Sequence, residues 1–79
     1  MTEQNLIDLG FKRVDDIADG EPFYYYEYEL GDTCLISFAN DEIKDDHWIV
    51  ESDDYLRVKF QKLNDLKIFI SLLQSIFRE

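Results

Sequence analysis

The chain has one cysteine (Cys34), one histidine (His47), one proline (Pro22) and three glycines. A lone cysteine has no internal disulfide partner and fits a reducing compartment. With four serines besides, the inventory for nucleophilic or metal chemistry is thin. No GxSxG elbow, P-loop, GxGxxG or HExxH pattern is present, so the usual signatures of hydrolases, nucleotide binders and zinc peptidases are missing. His47 follows Asp45 and Asp46, as a carboxylate-oriented base would, but no nucleophile pattern accompanies it, and it reads as a solvated loop end. The sequence therefore predicts no enzyme and implies no cofactor. No stretch approaches the ~18–20 apolar residues of a membrane span. The first residues lack the basic segment and apolar run of a secretory signal, so a cytoplasmic location is expected.

Bases are scarce too. Eight Lys and Arg stand against eighteen Asp and Glu, a net charge of −10. Such a surface repels nucleic acid and anionic membrane, and it attracts a basic protein surface. Solubility alone is the competing explanation. The acids do not spell an EF-hand. Counting from Asp15, Asp19 and Gly20 fit the fifth and sixth positions, but Ile17 and Tyr26 occupy ligand positions three and twelve. Asp41, Glu42, Asp45 and Asp46 offer carboxylates, but their spacing identifies no metal.

What is abundant is apolar and aromatic: 46% hydrophobic and 15% aromatic, enough for a folded chain. Seventy-nine residues make a single domain, residues 1–79, with a small core. The chain is organised around Phe23–Leu30, FYYYEYEL, with five aromatics in eight residues. Aromatics favour a pleated, half-buried strand, where alternate side chains face opposite ways. Tyr24, Tyr26, Tyr28 and Leu30 form one face; Phe23, Tyr25, Glu27 and Glu29 form the other. Burying two glutamates is costly, so the even face is expected inward. The Tyr ladder reads as core packing, with an aromatic binding platform as the sharper alternative.

Around this strand, residues 2–9 predict a short helix with Thr2 as N-cap and Gly10 as C-cap, after which Phe11 folds back. Residues 11–14 predict a short strand and 15–22 a loop, with the Tyr strand starting after Pro22. Gly31-Asp32 predicts a hairpin into Thr33–Ala39. A two-residue turn pairs Leu30 with Thr33; a three-residue loop pairs Leu30 with Cys34. The second unites the apolar sets, with Cys34 an ordinary buried thiol beside Ile36 and Phe38, and it is preferred. Residues 40–46 form an acidic loop. His47–Ser52 and Tyr55–Phe60 complete the sheet, with Trp48, Val50, Leu56, Val58 and Phe60 inward. Residues 64–79 predict a helix capped by Asn64, whose apolar arc exceeds what one sheet face needs and leaves room for a homodimer or partner interface. The expected fold is α+β: helix, a four- or five-stranded antiparallel meander, and a C-terminal helix, both helices on one face.

In that layout one end of the sheet gathers Asp15, Asp16, Asp19, Glu21, Asp41, Glu42, Asp45 and Asp46, with Lys44 the one base among them. The outward face shows Phe23, Tyr25, Leu35, Ile49 and Tyr55. Aromatic anchors ringed by charge are the composition of a protein interface. These thirteen residues are the candidate partner-binding set.

The segments LGFKRV, GDTCLISFANDEIKDDHWIVESDD, LRVKF and NDLKIFISLL together resemble small acidic proteins of phages and mobile elements of Bacteroidetes-type hosts. The likeness is one of layout and carries no catalytic motif. It implies a phage or mobile-element context in the host cytoplasm, where such proteins bind and block host defence enzymes. The resulting expectation is a non-catalytic inhibitor that occupies a basic, nucleic-acid-handling or CRISPR-type host protein, in part by mimicking DNA, without binding nucleic acid or membrane itself. The alternative is a homo-oligomeric small-ligand or divalent-ion-binding protein.

Overall fold

Thr2 opens the first helix. In the computed structural model, which describes residues 1–53 and 58–77, its hydroxyl accepts the Asn5 N–H at 3.2 Å, and the Asn5 side chain accepts the Thr2 N–H at 2.8 Å. This reciprocal cap starts α1, Glu3–Leu9. The helix ends at Gly10, whose φ of +98° is left-handed. The Phe11 N–H then bonds the Leu6 carbonyl, and Phe11 turns into the core.

Five antiparallel strands follow in meander order: β1 (Lys12–Ala18), β2 (Glu21–Leu30), β3 (Thr33–Ser37), β4 (Val50–Ser52) and β5 (Lys59–Phe60). Helix α2, Leu63–Phe77, closes the chain. It begins before Asn64, so that residue lies inside the first turn rather than capping it. Leu6 of α1 and Leu66 and Ile70 of α2 join Phe11, Tyr26, Leu35, Trp48, Val50 and Phe60 in one core. Both helices meet the even face of β2. The Tyr26 hydroxyl donates to Glu3 at 2.6 Å, and Gln74 donates to the Tyr28 hydroxyl at 3.2 Å. Burial, then the Glu3 carboxylate beside it, pushes the Tyr26 phenol up to about 12.

Two segments differ from the sequence reading. Residues 15–18 are strand, not loop: Asp15 pairs with Tyr24 and Ala18 with Glu21 across a tight Asp19-Gly20 turn. Both turn residues have positive φ, 53° and 79°, which an Asp-Gly pair accommodates and which suits strand twist. Pro22 therefore sits within β2. The N–H groups of Tyr24 and Tyr26 point toward the β3 side, bonding Asn40 Oδ1 and Ser37 Oγ at 2.8 Å each. Pro22 has the same parity, and β3 does not extend that far, so its missing N–H breaks no ladder bond.

The second difference is register. Leu30 pairs with Thr33, Glu29 with Cys34, Tyr28 with Leu35 and Glu27 with Ile36. The turn is the two-residue Gly31-Asp32 with Gly31 at φ +60°, not the three-residue loop. Every β3 side chain consequently takes the face opposite to the one expected. Leu35 is fully buried and belongs to the core, not the outward set. Ser37 is buried as well, and its hydroxyl is satisfied by the Tyr26 N–H and the Phe38 carbonyl.

Strand β4 is shorter than expected. Trp48 and Val50 are buried, but β4 spans only Val50–Ser52. Val58, expected inward, is 43% exposed, while its backbone N–H bonds Ser52 Oγ at 3.0 Å. Tyr55, Leu56 and Arg57 lie outside the described residues. Asp46 ties the acidic loop to the body: Oδ1 accepts the Glu3 N–H at 3.1 Å and the Trp48 indole N–H at 2.8 Å.

Register makes a stability prediction. In urea denaturation followed by Trp48 fluorescence, Leu35→Ala is expected to cost about 2–5 kcal/mol, and Ile36→Ala less than about 1.5 kcal/mol. The reverse order would restore the three-residue loop.

Candidate protein-binding surface

Residues directly opposite in antiparallel strands share a face. The observed pairs therefore draw one row across the outer face: Lys12, Glu27, Ile36, Glu51 and Lys59. Bases stand at both edges, acids inside them and an isoleucine at the centre. Beside this row, Val14 lies opposite Tyr25 and Asp16 opposite Phe23. The Phe23 and Tyr25 rings stack with centroids 6.3 Å apart and planes 22° from parallel.

Phe38 follows β3 and completes an open groove of about 430 Å³, which Phe23, Tyr25, Ile36, Ala39, Glu42 and Glu51 also line. The Lys59 ammonium stands 5.6 Å from the Phe38 ring centroid. That lies within the range where a cation feels the negative face of an aromatic ring. The groove thus combines three aromatic rings with two carboxylates, which suits a long side chain with a positive end.

The candidate set divides on this map. Phe23 and Tyr25 form the groove wall, and Glu42 lies at its margin. Asp16 is on the same face, opposite Phe23, and its carboxylate accepts the Ile17 N–H at 2.8 Å. Asp15 takes the other face, opposite Tyr24, and pairs with Arg13 at 3.0 Å. The Arg13 guanidinium in turn lies 3.7 Å over the Tyr24 ring. Asp19, Glu21, Asp41 and Asp45 are exposed. Asp45 and Asp46 have positive φ, 54° and 56°, and the Asp46 bonds to α1 and Trp48 make it a support of the fold. Ile49 is half-buried, and its carbonyl accepts the Phe38 N–H at 2.9 Å. Leu35 is inside. Tyr55 lies outside the described residues.

Ile36 and Phe38 were missing from the sequence-based set. The signal that could have placed them is the Gly31-Asp32 pair, read as a strict two-residue turn.

Cys34 also faces outward, half-buried rather than interior. One ligand atom each from Cys34, Glu27 and Glu29 lie within 4.8 Å of one another. Among the described residues this is the one place where three metal-ligating side chains converge; Asp41, Glu42, Asp45 and Asp46 do not. Burial raises the thiol pKa, and the charges of Glu27, Glu29 and Asp53 raise it further. That disfavours the thiolate, the form that would attack an electrophile or bind a soft metal.

Among the described residues no helix is long and apolar enough to cross a membrane. Comparison with protein-family models, curated proteins and solved structures finds no match to this chain.

Because its pKa is raised, Cys34 holds less thiolate at a given pH than a free cysteine. Alkylation by iodoacetamide near neutral pH is expected to run several-fold slower than in the urea-unfolded chain. Glu27→Gln with Glu29→Gln should speed it. A native rate equal to the unfolded rate would contradict the placement beside the glutamates.

Proposed function

We propose that this chain is a non-catalytic protein-binding module whose outer sheet face receives a basic segment of another protein and blocks it. The observation that carries this reading is the groove itself: Phe23, Tyr25 and Phe38 beside Glu42 and Glu51, with the chain's own Lys59 ammonium resting near the Phe38 ring. A lysine or arginine from a partner would find the same combination of ring face and carboxylate. The net charge of −10 speeds encounter with such a partner over the range that salt leaves unscreened.

The proposal extends to the partner's class, a nucleic-acid-handling or defence enzyme of the host, which is what a layout like that of small acidic phage and mobile-element proteins would imply. Such enzymes carry basic tracks for a backbone with one charge per about 1.7 Å of duplex axis. Carboxylates at Asp16, Asp19, Glu21, Asp41 and Glu42 would imitate a short piece of that backbone, and the stacked rings would supply the desolvated anchor. The proposed action is occlusion, which needs no cofactor and no direct contact with nucleic acid.

The immobilised chain is expected to capture a basic protein from host lysate at low ionic strength and to release it as salt rises. Tyr25→Ala with Phe38→Ala should reduce capture about tenfold or more, as loss of an aromatic anchor does, without changing the circular dichroism spectrum. Capture of no basic protein at low salt would contradict the reading.

A further inference from the structure

Helix α2 buries one side and leaves another bare. Leu66 and Ile70 enter the core, and Phe69 packs on Phe60 with ring centroids 4.9 Å apart. Ile68, Leu72 and Ile76 are instead 61%, 58% and 72% exposed. Their spacing, i, i+4 and i+8, sets them in one line along the helix surface. They are three of the six large hydrophobic residues that stand exposed among the described residues.

The charge of the chain is distributed unevenly about this line. The fifteen residues of α2 contain one acid, Asp65, and one base, Lys67, and so sum to zero. Taking that pair from eighteen acids and eight bases leaves seventeen against seven, so the whole −10 lies elsewhere. This exposed apolar line therefore lies on a helix with no net charge.

We propose that this line is a homodimer interface, in which two copies pair their α2 helices antiparallel through Ile68, Leu72 and Ile76. Two features select a second copy as the occupant. The first is self-complementarity. Isoleucine, leucine, isoleucine at equal spacing is the same from either end. A two-fold axis at Leu72 sets that residue against its own copy and Ile68 against the partner's Ile76, which closes the contact. The second is electrostatic. Two chains of −10 repel each other through their acidic faces, and α2 gives them a neutral approach. A basic partner, by contrast, gains no charge attraction there. Antiparallel packing also sets the two helix dipoles in opposition, which is favourable.

A three-residue line is narrower than the roughly 800 Å² per partner of a standard interface, so a weak dimer that grows with concentration is expected. Because α2 packs on the inner face of the sheet, the dimer leaves both outer grooves open. This inference is independent of the function proposed for them.

Sedimentation velocity of the full chain from about 5 to about 500 μM, in about 0.15 and 0.5 M NaCl, tests it. The mass is expected to rise from 9.5 kDa toward twice that value with concentration. The dimer should strengthen at the higher salt, opposite in sign to capture of a basic partner, so failure of one reading does not carry the other with it. Leu72→Glu sets two carboxylates at the axis and should weaken the dimer tenfold or more. Position 72 is exposed, so the thermal midpoint at about 5 μM should stay unchanged. A Cys34→Ser, Leu72→Cys chain should form a disulfide-linked dimer on mild oxidation, a readout that holds even if Leu72→Glu fails to fold. A single-chain mass at about 500 μM in both salts, parental dimerisation by folded Leu72→Glu, or no cross-link at position 72 would each overturn the proposal.

Discussion

The two-residue turn at Gly31-Asp32 is the constraint on which the rest of the structure depends. With Leu30 opposite Thr33, β3 has one register only. That register sends Leu35 beneath the helices and turns Cys34, Ile36 and Phe38 outward. A slip of one residue would exchange these sets entirely. The core would then receive a thiol, an isoleucine and a phenylalanine in place of a leucine and a serine, and the outer groove would lose two of its walls. Packing inside and recognition outside are thus two consequences of one turn.

The polar cost of that choice is met locally. Ser37 enters the interior, where an unpaired hydroxyl would be destabilising. It stands where the β2–β3 ladder ends, beside Tyr26, and accepts the Tyr26 N–H that no β3 carbonyl receives. Asn40 does the same for Tyr24 a step further on. Two side chains thereby continue the ladder after the backbone of β3 has turned away. On the inner face the Tyr26 hydroxyl holds Glu3, and Asp46 holds both the first turn of α1 and the Trp48 indole. The acidic loop is anchored through the Asp46 carboxylate, and Glu42 is held at the groove by its own bonds to Ala39, whose N–H donates to Glu42 Oε1 at 3.4 Å.

Much of this was legible in the residues. Thr2 and Gly10 bracket α1 by chemistry that hardly depends on the rest of the chain. The parity of β2 followed from two glutamates that cannot be buried cheaply, and α2 from its long apolar arc. Register was not legible in the same way. The apolar sets of β2 and β3 align better with a longer loop, and nothing local to Ser37 announces that a β2 amide waits for its hydroxyl. The Asp19-Gly20 hairpin was hidden by its own flanks: Asp15, Asp16 and Glu21 look like loop residues until β1 is seen as an exposed edge, where charged side chains are well tolerated. The candidate surface inherited both errors. Its aromatic residues on β2 kept their places, whereas Leu35 went inside, Asp46 became a support of the fold, and Ile36 and Phe38 took the vacated positions.

The most direct test of the register is a nuclear Overhauser spectrum of the labelled chain. In an antiparallel ladder the non-hydrogen-bonded pairs bring their Cα atoms to about 4.5 Å, close enough for strong Hα–Hα cross-peaks. Such peaks are expected between Glu29 and Cys34 and between Glu27 and Ile36. Cross-peaks from Glu29 to Leu35 and from Glu27 to Ser37 would instead place the chain in the three-residue register, and the groove of Phe23, Tyr25, Ile36 and Phe38 would not exist.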